Sequence, residues 1–377
     1  MPLLPKLQKS WKCKCSKHSM PPVRMQIGFG AMNEIPTLLN DLEFGTNGLI
    51  VDDMNTRNVA GVEIAKGLKQ HNVSISEVIV DKPDEENVAK VERQIQPGRF
   101  VIGVGGTSVL DIVKLSAERQ RAKYILFSTG LANSGIVSKT ASIYVGGRKE
   151  SFSVKLADAV VVDLAVVSAA PAWMFGAGFG DLVIEATAVK DWQLGRDEAA
   201  EAYCESIADL EIECLDEVLG NIDSIRSRTP SGVECLVDAL VVAGLGMAMW
   251  GSSRPSSGSE HMWSHWLEHY AEENNLPQGR HGEQVGMGTL LMAKYHEVHN
   301  PNWWDKENYP TYQAESLMKS LRKVRAPSTL REIGITTDVA VDAFVSAWEY
   351  RKERYTILHK RHPNKDDAEK IIRELAL

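Results

Sequence analysis

Four histidines fall in one short polar stretch between Gly251 and His281, within GSSRPSSGSEHMWSHWLEHYAEENNLPQGRHGEQVG. His261, His265 and His269 are spaced i, i+4 and i+8, which places them on one face of a helix, and His281 follows a turn at Gly279. Neutral imidazole is the commonest side-chain ligand for a catalytic zinc or iron, and two imidazoles with one carboxylate leave a coordination position open. The third ligand has to come from elsewhere in the chain. A plainer alternative makes His265 and His269, with Trp263 and Trp266, an ordinary helix surface over an apolar core. For His261 and His281 the Gly-Ser run ending at Glu260 and the flanking Gly279 and Gly282 favour a site, because glycine lets backbone approach closely.

A second stretch with chemical potential is FVIGVGGTSVLDIVKLSAERQ, in which a buried strand runs into Gly103, Gly105 and Gly106 before Thr107 and Ser108 open a helix. Free N–H groups and the helix dipole at such a turn suit a pyrophosphate. The spacing departs from the G-x-G-x-x-G dinucleotide fingerprint, so a tight turn alone is an equal reading. Asp53 ends an earlier strand. It can accept hydrogen bonds from an adenosine ribose, which favours NAD over NADP, or simply cap the helix beginning near Asn55 and Thr56.

The elements around these stretches alternate. NGLIVDD, SISEVIVD, RFVIGVGG, YILF and DAVVVDL read as strands, with AGVEIAKGLKQHN and ENVAKVERQI as helices between them, which predicts a parallel sheet. QIGFGAMNEIPTLLNDL reads as a glycine turn opening into a helix. After Pro171 the apolar spacing becomes helical throughout. The expected organisation is a basic extension over 1–24, an α/β dinucleotide-binding domain over 25–167, and a helical metal- and substrate-binding domain over 168–377.

Composition sets the outer limits. A chain of 377 residues with 44% hydrophobic and 24% charged residues suits two globular domains, and a net charge of −8 argues against general nucleic-acid binding. No apolar run approaching the roughly 20 residues of a membrane span is expected. Five scattered cysteines suit reduced thiols in a cytoplasm better than a disulfide framework. Cys13, Cys15 and His18 form a C-x-C-x-x-H that could bind metal. With no second half-site following, and with Lys6, Lys9, Lys12, Lys14 and Lys17 around it, a disordered or loosely docked basic tail is the expectation. That tail lacks the apolar core of a secretory signal.

Taken together, IGFGAM, VDDMNT, GVGGTSVLDIVK, GFGDLVIEATAVKDW, SSRPSSGSEHMWSH, HGEQVGMG and VRAPSTLREIGI resemble the iron-containing, metal-dependent alcohol and polyol dehydrogenases, which share the dehydroquinate synthase-like fold. Within that group they resemble the glycerol-1-phosphate dehydrogenase family, over nearly the whole stretch from Met25 to about Ile335. The resemblance implies Asp181 of GFGD, His261 and His281 as metal ligands, with His265 as a proton relay near the substrate. It implies Gly105, Gly106, Thr107 and Ser108 as the pyrophosphate turn, Asp53 at the adenosine ribose, Asp111 with Lys114 on the following helix, and Thr129 beside the cofactor. It further implies NAD or NADP and one divalent ion, zinc before iron or nickel, with a small-molecule substrate in a cytoplasmic homo-oligomer. The reaction implied is interconversion of dihydroxyacetone phosphate and sn-glycerol 1-phosphate.

The chain also departs from the family pattern. Ser134 stands where a carboxylate is common, and Ser138-Lys139-Thr140 replaces Ser-Pro-Arg. Glu185 stands where some relatives place a histidine ligand. Substrate contacts are accordingly expected from Ser134, Lys139 and Arg254, with Arg280 as a further cation. A dehydroquinate-synthase-like cyclase, a dehydrogenase for another small polyol or aldehyde, and a non-catalytic cofactor binder are the competing readings.

Overall fold

A computed structural model describes residues 2–277 and 279–377. The chain divides into two compact units, one of residues Pro21–Pro171 and one of Ala172–Leu377 together with the N-terminal segment up to Met20.

The first unit is built on a six-stranded sheet in the order β1-β8-β5-β4-β2-β3, formed by β1 Arg24–Gly28, β2 Asn47–Asp52, β3 Ser74–Ile79, β4 Phe100–Gly105, β5 Tyr124–Ser128 and β8 Ala159–Asp163. All five pairings in it are parallel. The central strands β4, β5 and β8 are buried along their whole length, as near-continuous Val/Ile/Phe runs require when both faces are covered. β1 departs from the expected glycine turn: Arg24–Gly28 pairs with β8 at the sheet edge. β6 Thr140–Val145 and β7 Arg148–Ser153, also unforeseen, form an antiparallel hairpin. Its two-residue loop is Gly146-Gly147 with φ of 57° and 84°, and positive φ at both positions is what a type I′ turn demands.

The second unit is helical. The helices that matter for the site are Ala172–Val183, Glu185–Ala199, Glu205–Gly220, Pro230–Trp250, Ser259–Glu273 and His281–His299. The expectation of no span-length apolar run needs correcting. Ala172–Ala199 and Pro230–Trp250 are long and apolar enough to cross a membrane, but 83% and 89% of their apolar windows are buried inside the fold. They are the core around which the other helices pack.

The N-terminal segment also differs from its expectation as a loose tail. Leu3–Ser10 is a helix whose Leu3, Leu4 and Leu7 are buried, and the N–H groups of Leu3 and Leu4 both donate to the Asp238 carboxylate. Burial of each leucine stabilises by roughly 1.5–3 kcal/mol, enough to hold so short a helix that would not form alone. Further on, the Lys14 N–H donates to Ser206 Oγ at 2.9 Å.

Candidate active site

In the helical unit, one carboxylate and two imidazoles meet because two helices are allowed to touch backbone to backbone. A Cβ at Gly180 would lie 2.2 Å from the carbonyl oxygen of Gly282, and one at Gly286 would lie 3.1 Å from Gly180 Cα. Only glycine permits this approach. It sets Asp181, next in sequence, beside His281, the first residue of its helix, with His281 Nε2 3.7 Å from Asp181 Oδ1. The helix carrying His261 joins them by a third close contact, since a Cβ at Gly288 would lie 2.9 Å from the Glu260 carbonyl oxygen. Asp181, His261 and His281 thus each offer a ligand atom within 4.8 Å of the others.

A neighbouring carboxylate aims the His261 ring. Glu260 is fully buried; its Oε1 accepts from the Gly258 N–H at 2.6 Å and lies 2.9 Å from His261 Nδ1, while Oε2 accepts from Thr187 Oγ1 at 2.7 Å. With Nδ1 directed at Glu260, His261 is left with Nε2 for an ion. Burial pushes the His261 imidazole down to about 4, against the upward pull of Glu260, so the ring is neutral at pH 7 as a ligand must be. Glu268 lies 3.7 Å from His281 Nδ1 and 3.2 Å from His265 Nδ1. Two imidazoles and one carboxylate, with the His261 ring held by Glu260, fit a divalent ion with an open position.

His265 sits next to this cluster, its ring centroid 6.2 Å from that of His261. Its Nε2 accepts from Arg351 Nη2 at 3.1 Å, and burial lowers its pKa to about 4. His269 faces away, paired with Glu273 at 3.1 Å and packed edge-on to Tyr350.

Three expected residues take other roles. Arg254 is not presented to a ligand. Its Nε donates to Glu201 at 2.8 Å and its Nη2 to the carbonyl oxygens of Asp191 and Tyr355 at 3.0 and 2.8 Å, so the expected substrate contact is an internal ion pair. Glu185 neither meets the metal cluster nor faces solvent. It is fully buried, and burial first, then the neighbouring Glu211, raises its pKa well above the ordinary range. Arg280 stacks its guanidinium over Trp173 and pairs with Glu283 at 3.0 Å.

Glu260 as an orienting group, Glu268 and Arg351 were missed as functional residues. Glu268 carried a faint signal, lying three residues after His265 on the same helix face. Arg351 carried none, being brought in from 86 residues away.

One loop is fixed by a single buried carboxylate. Asp191 Oδ2 accepts from Ser259 N and Oγ at 2.7 and 2.6 Å, and Oδ1 accepts from Ile357 N at 2.7 Å and lies 3.1 Å from His296 Nε2. Burial would raise its pKa, but His296 and Ser259 hold it below the usual range. This anchors the start of the His261 helix.

In the α/β unit, the helix Thr107–Gln120 follows β4 directly, with Gly106 at its N-cap and no side chain capping it. A Cβ at Gly105 would lie 2.6 Å from Val109 Cβ, so this glycine is needed for packing, whereas one at Gly106 would meet nothing within 4 Å. The helix start has no side-chain cap, there is room beside Gly106, and Thr107 is half-buried with Ser108 exposed, which suits an anion there. The Thr129 N–H donates to the Gly105 carbonyl at 3.1 Å on the adjoining strand end.

Asp111 departs from its expected cofactor contact. One oxygen accepts from Lys114 Nζ at 3.0 Å and the other from Ser142 N at 3.1 Å, while Lys114 also donates to the carbonyl oxygens of Gly135 and Thr140. Buried and engaged on both sides, the pair clamps the 133–142 segment to the helix. That segment carries Ser134, buried in a short 3-10 turn capped by Asn133, and the half-buried Lys139 ahead of β6. Asp53 Oδ1 accepts from the N–H groups of Asn55 and Thr56, both at 2.8 Å, and so caps the helix that follows β2.

A family model for iron-containing alcohol dehydrogenase matches residues 26–171. The chain is 35% identical over 352 residues to the glycerol-1-phosphate dehydrogenase [NAD(P)+] of Methanosarcina barkeri, covering 92% of this chain and 93% of that one. It belongs to the glycerol-1-phosphate dehydrogenase family. The Pyrococcus furiosus member is 32% identical over 93% of this chain and 97% of its own. Among solved structures, the glycerol dehydrogenase of Schizosaccharomyces pombe superposes with a TM-score of 0.75 at 18% identity, over 95% of this chain and 91% of that one. Maleylacetate reductase of Agrobacterium tumefaciens gives 0.73 at 16%, over 95% and 97%. These two share the fold.

Proposed function

We propose that this protein is a metal-dependent NAD(P)-linked dehydrogenase interconverting dihydroxyacetone phosphate and sn-glycerol 1-phosphate. The observation that carries the reading is the convergence of Asp181, His261 and His281 in a chain 35% identical to a glycerol-1-phosphate dehydrogenase over 92% of its length.

Asp181, His261 and His281 would hold a divalent ion, zinc before iron or nickel. When bound, that ion supplies Lewis-acid polarisation of the substrate's secondary C–O group, favouring hydride exchange with nicotinamide. The chain's own residues do the rest. Glu260 fixes the His261 imidazole, Glu268 lies 3.7 Å from that of His281, and His265, between Glu268 and Arg351, is the candidate to pass a proton to or from the substrate oxygen. Arg351 is the cation best placed for the substrate phosphate, since Arg254 is occupied internally. In the α/β unit the Gly105–Ser108 turn receives the pyrophosphate, with Thr129 beside it and Asp53 at the adenosine end. Ser134 and Lys139 are the remaining candidates for polar substrate contacts. Ser134 brings no charge, which suits an anionic ketone better than a carboxylate there would. The five free thiols suit a cytoplasmic enzyme, and we expect a homo-oligomer.

The test compares reduction of dihydroxyacetone phosphate with that of dihydroxyacetone, followed by nicotinamide absorbance. Preference for the phosphorylated ketone is expected. Preference for the uncharged one overturns the phosphate assignment, and no net absorbance change with either overturns dihydroxyacetone phosphate as the substrate.

A further inference from the structure

The C-x-C-x-x-H of the N-terminal segment lacked a fourth ligand in sequence, and the fold supplies one. Cys204, about 190 residues downstream and at the N-cap of the helix Glu205–Gly220, stands 3.4 Å (Sγ to Sγ) from Cys13 and 3.9 Å from Cys15. His18 Nδ1 lies 3.4 Å from Cys13 Sγ and 3.3 Å from Cys15 Sγ, and the Cys13 and Cys15 sulfurs are 2.9 Å apart. All four ligand atoms lie within 4.8 Å of one another. We propose that Cys13, Cys15, His18 and Cys204 bind one zinc ion in a closed structural site, separate from the Asp181–His261–His281 cluster.

The distances favour an ion over a disulfide. Tetrahedral zinc with sulfur at about 2.3 Å separates its donors by about 3.8 Å for two sulfurs and about 3.6 Å for sulfur and nitrogen. Four of the separations fall near those values. The Cys13–Cys15 pair is closer, opens as an ion enters, and is still well beyond the roughly 2.05 Å of a disulfide. Three thiolates and one imidazole fill the tetrahedron, so no position remains for a substrate, and the site is structural.

The supports are those a thiolate site uses. Cys204 is fixed at the start of its helix, its carbonyl accepting from the N–H groups of Ile207 and Ala208 at 3.2 and 3.0 Å. Ser16 takes a positive φ of 56° and its N–H donates to the Cys13 carbonyl at 3.0 Å, closing the knuckle that turns His18 back. His18 also packs against Trp250, with ring centroids 5.3 Å apart. A zinc with three thiolates carries a net negative charge, and Lys12, Lys14 and Lys17 are its neighbours in sequence, Lys14 Nζ itself pairing with Glu205 and Asp209 at 3.1 and 3.3 Å. The ion would pin the segment up to Met20 onto the helical unit, adding to the Leu3–Ser10 helix that docks there.

The experiment is cobalt substitution of the full-length protein kept reduced. The catalytic cluster contains no sulfur, so a near-ultraviolet thiolate-to-cobalt charge-transfer band can come only from the cysteine site. Expected are this band in the wild type, its persistence in Asp181→Asn, and its loss in Cys15→Ser. Zinc content should fall from about two ions per chain to about one in either variant. Cys15 is exposed, so its substitution leaves no core cavity. Cys15→His exchanges one ligand for another and should restore zinc with a weaker band. Absence of the band in folded wild type, its loss in Asp181→Asn alone, or an intact mass lighter by two hydrogens under non-reducing conditions each overturns the proposal. Loss of dehydrogenase activity in Asp181→Asn with the band intact concerns only the catalytic reading.

Discussion

Glu260 reaches His261 Nδ1, Gly258 N and Thr187 Oγ1 at once, so it fixes both the ring and the loop that delivers the ring. Removing such an orienting partner typically weakens metal binding by 10–100-fold. Glu260→Ala is therefore expected to lose its ion to a chelator that leaves the wild type loaded, as metal analysis after dialysis would show. The two arginines separate cleanly. Arg351→Ala should raise KM for dihydroxyacetone phosphate by roughly 10–100-fold, the worth of a charge-assisted hydrogen bond. Arg254→Ala should instead lower Tm, because it leaves half-buried Glu201 without its cation at a cost of about 1–3 kcal/mol, and should leave KM much less affected. If Arg254→Ala raises KM as strongly as Arg351→Ala in folded protein, the assignment of roles is reversed.

Among the elements, the closest contact is between the Ala172–Val183 and His281–His299 helices. Gly180→Ala places a methyl against the Gly282 carbonyl and is expected to part the helices, moving Asp181 off His281; metal content should drop with little loss of helical signal. Gly106→Val acts on the other unit. Its side chain enters open space at the uncapped helix start, so the protein should fold and keep its metal, while NAD(P) affinity measured by fluorescence titration falls severely. The sequence made these elements legible wherever period and glycine spacing were strong: β2 to β5, β8, the turn after β4 and the helices after Pro171. It hid β1 and the β6–β7 hairpin. β1 is five residues of mixed burial at an edge, and the hairpin is mostly polar on β7, so neither shows the apolar alternation that marks a strand. The metal triad was legible only through family resemblance, since nothing in spacing ties Asp181 to His261. Arg254 and Asp111 misled because burial cannot be read from residue type: a cation in a serine loop and an acid after a glycine turn look ligand-facing until their internal partners are seen.

The molecule as a whole carries a pH liability in Asp52, which is fully buried at the end of β2. Burial, and next the Glu77 carboxylate, push its pKa up to about 7, partly opposed by Arg57. Below about pH 4 the carboxyl is protonated folded or unfolded and contributes nothing. As pH rises toward 7 only the unfolded chain releases the proton, so stability falls by up to about 1.4 kcal/mol per pH unit, and the full cost is present above 7. Asp52→Asn should accordingly gain Tm over the wild type increasingly from pH 5 to pH 8. A difference independent of pH would remove this account.

Asp191 has a consequence in time. The carboxylate that anchors the start of the His261 helix is itself held by the N–H of Ile357, 166 residues further on. Arg351, the partner of His265, comes from the same late stretch. During synthesis, the emerging polypeptide offers Asp181, His261 and His281 long before those partners exist. Any ion captured then would meet a helix start not yet anchored, so stable metal loading is expected to await emergence of the 351–357 stretch.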